Sequence, residues 1–115
     1  MLLDKHFYIS LFHVILVAPL LIWVGLAREK VPSWMYWVLG AAAIQVFFFH
    51  SYKFYSRADF ASGWYNLIHI LLIAPLLMVI AWNGVETSRR FYEMLLIAGF
   101  GALGYHALNL TRQLM

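Results

Sequence analysis

The chain has no cysteine, which removes disulfides, iron–sulfur clusters, thiolate metal sites and cysteine nucleophiles from consideration together. It is also poor in acid. Asp4, Glu29, Asp59, Glu86 and Glu93 are its only side-chain carboxylates, and they are scattered over segment edges, so no paired-carboxylate constellation can be assembled from them. A glycine-rich phosphate loop and a serine–histidine–aspartate arrangement are missing as well, and the chain is therefore not expected to be an enzyme on its own. Basic residues outnumber acidic ones only slightly, eight to five, for a net charge of +3. They sit beside apolar segments and form no tract, which argues against nucleic acid as a partner.

What the sequence has in abundance is apolar surface: 64% of its 115 residues are hydrophobic and 11% are charged. Soluble globular domains carry about a quarter charged residues, so this balance belongs to a membrane protein. Apolar stretches are read at Tyr8–Ala27, Trp34–Tyr52, Trp64–Asn83 and Phe91–Leu110. Each approaches the roughly 20 residues that carry a helix across about 30 Å of hydrocarbon. The runs are continuously apolar and too few for a closed barrel of alternating strands, so helices are the expected spanning form. The expectation is thus an all-α, multi-pass integral membrane protein with four transmembrane helices in one domain spanning residues 1–115, both termini on the same side of a lipid bilayer. Trp23, Trp34, Trp37, Trp64 and Trp82 fall near segment ends, as an interfacial aromatic belt requires. Basic residues divide evenly between the two predicted sides, so the charge rule assigns no orientation. The first segment also has the outline of a cleaved signal peptide, but its wording returns in mid-chain, which favours a structural segment.

That return is the strongest feature of the sequence. "LFHVILVAPLL" (Leu11–Leu21) and "LIHILLIAPLL" (Leu67–Leu77) align under a shift of 56 positions, sharing the histidine, the Ala-Pro pair and four leucines, and the same shift carries Tyr36 onto Tyr92, Leu39 onto Leu95, Ala42 onto Ala98 and His50 onto His106 without a gap. The reading is a tandem repeat of two helical hairpins, approximately 8–54 and 64–110. Each unit has an even number of crossings, which predicts pseudo-two-fold symmetry along the membrane normal. Short connections favour sequential antiparallel neighbours.

The repeat predicts where the histidines lie. His13 and His69 are about six residues inside outgoing helices and His50 and His106 are a few residues from the ends of returning ones, so at about 1.5 Å per residue all four fall near one membrane face. Helical spacing adds His6 and Ser10 to the stripe of His13, Ser62 and Asn66 to that of His69, Lys53 and Arg57 to that of His50, and Asn109 and Gln113 to that of His106. Polar side chains facing lipid are costly, which directs these stripes inward. Ala43 and Gly99, seven residues before His50 and His106, are expected to leave room beside the imidazoles. Pro19 and Pro75 remove a backbone donor and release the carbonyls of Ile15 and Leu71, predicting kinks.

Imidazole is a common transition-metal ligand and an axial ligand of haem. His13, His50, His69 and His106 are therefore the candidate cofactor-binding and metal-binding residues, with haem ahead of a bare transition-metal ion and magnesium of a chlorophyll behind both. His6, Ser10, Asn66, Asn109, Ala43 and Gly99 are candidate supporting residues. Two other readings stand beside this one. The histidine layer can relay protons, although the opposite half of the bundle has no matching polar line. Alternatively, the chain is a cofactor-free structural or accessory subunit, either of a larger membrane complex or virion membrane or as a homo-oligomer, with the histidines only hydrogen-bonding between helices for about 1 kcal/mol each.

Overall fold

The computed structural model describes residues 5–57 and 60–115, apart from the side chains of 57 and 60–62. Asp4 and Asp59, and the side chains of Arg57 and Ser62, fall outside it. Among the described residues the chain is helical and contains no strand. Helix α1 (Lys5–Phe12) passes through a π turn (His13–Val17) into α2 (Ala18–Ala27), and a 3₁₀ turn (Arg28–Lys30) ends that rod. Helix α3 is Trp34–Arg57. Helix α4 (Phe60–Ile68) passes through a second π turn (His69–Ile73) into α5 (Ala74–Asn83) and a 3₁₀ turn (Gly84–Glu86), and α6 is Arg89–Leu114.

Among the described residues, three stretches are long and apolar enough to cross a membrane: Lys5–Lys30, Gly63–Glu86 and Arg89–Leu114. The expected second crossing lies within α3. With 24 residues this helix has the length, about 36 Å at 1.5 Å per residue. It is not one of the three, because Trp34, Tyr36, Trp37, Gln45 and His50 dilute its apolar character.

The prolines do not merely interrupt their helices. Pro19 lies in the first turn of α2, and the N–H of Ala18 bonds to the carbonyl of His13, five residues back instead of four. Pro75 repeats this, with Ala74 N–H bonded to His69 carbonyl. A proline ring clashes with the carbonyl four residues earlier. Widening the preceding turn by one residue moves that carbonyl aside and keeps the helix running, as single π turns do.

The rods end alike too. Arg28 closes α2 at φ 57°, ψ −130° and donates its N–H to Val24, while Gly84 closes α5 at φ 56°, ψ −131° and donates to Ile80. This backbone conformation suits glycine and strains a residue with a Cβ. After the second end, Thr87 Oγ1 donates to the carbonyls of Gly84 (2.6 Å) and Ile80 (3.3 Å). On the way into α3 and α6, Met35 N–H bonds to Pro32 and Phe91 N–H to Ser88.

The chain divides into two compact units. The first joins the segment up to Arg28 with Tyr92–Met115, and the second is Glu29–Phe91. The packing units therefore cut the chain differently from the expected hairpins, since the first and last rods share one unit and the two middle rods share the other. In the first unit Ala18, Leu21 and Val24 of α2 are buried with Tyr92 and Leu95 of α6. In the second, Met35, Tyr36, Leu39 and Ala43 of α3 are buried, as are Ala74, Leu76, Leu77 and Ile80 of α5. In lipid such contacts gain little from leaving the solvent, so close van der Waals fit has to hold them. Small residues supply that fit. A Cβ placed on Gly25 would stand 3.0 Å from Leu96 Cβ, and one on Gly99 would stand 2.8 Å from Ile22 Cγ1. The corresponding approach in the second unit, Gly40 to Ala81, is looser at 3.4 Å.

Candidate functional site

In the first unit Ser10 and His13 share a face of the α1 rod, and His106 and Asn109 share a face of α6, each by three-residue spacing. The His13 and His106 imidazoles stack, with ring centres 4.2 Å apart and planes 20° from parallel. His13 Nδ1–H donates to the Ile9 carbonyl one turn back (2.7 Å). His106 Nδ1 lies 3.1 Å from Ser10 Oγ, which also accepts Asn109 Nδ2–H at 2.7 Å. Ser10 is buried.

In the second unit His50 of α3 stacks on His69 of the second π turn, with centres 4.0 Å apart and planes 15° from parallel. His69 Nδ1–H donates to the Tyr65 carbonyl (2.6 Å), and His50 Nδ1–H donates to Asn66 Oδ1 (2.7 Å). Asn66 is fully buried at 0% exposure, and its Nδ2 has no hydrogen-bond partner. Lys53 lies one turn beyond His50, with Nζ 5.3 Å from the Phe49 ring centre and 5.7 Å from that of Tyr65.

These bonds decide the proton positions. A carbonyl or amide oxygen only accepts, so His13, His50 and His69 must each hold a proton on Nδ1. In the neutral ring the lone pair then resides on Nε2, the tautomer that a backbone carbonyl imposes on metal-ligating histidines. A hydroxyl both donates and accepts, so Ser10 leaves the tautomer of His106 undetermined.

The four candidate histidines are all half-buried and all engaged, but they gather in twos. Among the described residues no group of three or more His, Asp or Glu side chains is placed to hold a metal ion. The stacks also bear on haem. Two imidazoles on opposite sides of one metal, each with a bond of about 2 Å, set their ring centres roughly 6 Å apart. Rings at 4.0 and 4.2 Å leave no room for a macrocycle between the members of either pair.

Of the supporting residues, Asn66 bonds to His50, and Ser10 bonds to His106 and Asn109. His6 is exposed on α1. Gly99 takes a role other than the expected one: its nearest neighbours are Ile22 and Leu21, so the space it leaves is filled by α2. Ala43 is buried on α3. Sequence reasoning missed Ile9 and Tyr65, since backbone acceptors carry no side-chain signal. The four-residue step back from His13 and His69 is the one clue that was present.

The chain matches no known protein family, no curated protein and no solved structure. Its chemistry has to be argued from the two stacks.

Proposed function

We propose that this is a four-crossing membrane protein, a duplicated helical hairpin with pseudo-two-fold symmetry, whose histidine pairs bind a late first-row transition-metal ion. One observation carries the reading: His13 and His69 each direct Nδ1–H onto a carbonyl of their own helix, which assigns the lone pair to Nε2. Imidazole suits zinc, copper and nickel. A bare ion is preferred to haem because each stack is too tight for a macrocycle. Two imidazoles per pair leave further coordination positions to exogenous ligands, in contrast to closed four-ligand structural sites.

The test is metal analysis and absorption spectroscopy of the detergent-solubilised protein beside His13→Ala and His69→Ala variants. The expected result is bound metal in the wild type, lost from one site in each variant. A sharp Soret band lost with either histidine would restore haem. Absence of both metal and colour, with melting unchanged in both variants, would instead support a cofactor-free accessory subunit. That second reading is supported by His50 and His106, whose Nδ1 atoms meet Asn66 and Ser10 on neighbouring helices.

A further inference from the structure

The second unit contains a donor without an acceptor. Asn66 is 0% exposed, its Oδ1 is committed to His50 and its Nδ2 has no partner. A buried N–H left unmatched costs about 1–3 kcal/mol, so unmatched groups are rare and each one needs a reason. The equivalent place in the first unit has no such defect. There Ser10 stands at the position of Asn66, Asn109 stands at that of Lys53, and Asn109 Nδ2 donates to Ser10 Oγ, closing the network internally. The exchange of Ser for Asn and Asn for Lys replaces a matched donor and acceptor with an amide donor and a nearby cation.

Lys53 follows His50 by three residues on α3, and its ammonium lies over the rings of Phe49 and Tyr65, the latter adjacent to Asn66 in sequence. Lysine is a common point-charge partner for phosphate, and an amide N–H directs itself at one oxygen.

We propose that the second unit carries a binding site for a phosphate-class oxyanion, in which Asn66 Nδ2 donates to an anionic oxygen and Lys53 supplies positive charge. The oxygen is delivered either by a lipid phosphodiester or by free phosphate. The proposal stands on Asn66 and does not require bound metal.

The experiment uses chelator-treated full-length protein in phosphate-free maltoside micelles, with the Asn66 side-chain amide observed by NMR. Inorganic phosphate and a short-chain phosphatidylglycerol are titrated separately. Saturable movement of the Asn66 amide signals by either is expected, and the arm that responds identifies the source. Asn66→Asp, which exchanges the donor for an acceptor at constant shape, and Lys53→Gln, which needs no change in the core, should each weaken binding about tenfold or more. Asn109→Ala should leave it unchanged. The proposal is overturned if the Asn66 signals ignore both titrants and exchange only with water, or if affinity survives Lys53→Gln. Chelation separates the outcomes: loss of metal binding alone leaves this site standing, and loss of anion binding alone leaves the metal reading standing.

Discussion

The first unit closes its polar groups on themselves, whereas the second leaves one open. Both stack two imidazoles at about 4 Å and both set the π-turn histidine against its own backbone. They differ in what surrounds the partner histidine. His106 meets a hydroxyl that is also bonded to Asn109, and His50 meets an amide whose second arm has no partner. The same stacking geometry beside different neighbours means that the helix frame sets the stack, while single side chains set the chemistry beside it.

Packing offers the widest contrast between the units. Gly99→Ala should cost about 2–3 kcal/mol, because a methyl 2.8 Å from Ile22 and near the α2 backbone has to push two helices apart. Gly40→Ala should be neutral to stabilising by up to about 1 kcal/mol, since a helix interior favours alanine and the new methyl meets Ala81 at an ordinary 3.4 Å. Thermal unfolding in detergent measures both, and equal shifts would erase the distinction drawn between tight and loose helix approaches.

The polar networks come next. Ser10→Ala removes the acceptor of Asn109 and the partner of His106, at about 1–3 kcal/mol. A double variant with Asn109→Ala should recover part of that loss, since it deletes the orphan amide that Ser10→Ala creates. An additive double variant would mean that the Ser10–Asn109 bond contributes nothing.

Smaller effects are expected at the helix ends. Arg28 holds at φ 57° a conformation that Gly84 adopts at φ 56° without a Cβ. Arg28→Gly should stabilise the protein by about 0.5–1 kcal/mol, and Gly84→Ala should destabilise it by about 1 kcal/mol. Melting shifts of opposite sign are the check; the same sign for both would show that the two ends are not equivalent in strain. Thr87→Val, which removes the hydroxyl donated to Gly84 and Ile80, is expected to cost about 1 kcal/mol, measurable by the same melting curves.

Much of the helical frame was legible in the sequence. The apolar runs marked the rods, and Pro19 and Pro75 marked a disturbance one turn after His13 and His69. The form of the disturbance was not legible, because a kink and a π turn both relieve the same steric clash and the sequence carries no term that separates them. Helical spacing grouped the four histidines with Ser10, Asn66 and Asn109 on shared helix faces. It did not give their partners. Spacing along one helix places a residue on a face but says nothing of which rod that face meets, so the pairing of His13 with His106 and of His50 with His69 was invisible. Gly99 illustrates the same limit, since a small residue seven before a histidine looks like room for the imidazole until α2 is seen against it.

By itself, then, the sequence determined an apolar, cysteine-free helical chain with four histidines on polar stripes, because composition and a 3.6-residue period act within a single segment. The tertiary structure alone decided that these histidines stack in twos, which nitrogen of three of them holds the proton, and that Asn66 keeps an unmatched donor. Those outcomes depend on atoms brought together from different turns and rods, where distances of 2.6 to 4.2 Å, and not positions in the chain, set the interaction.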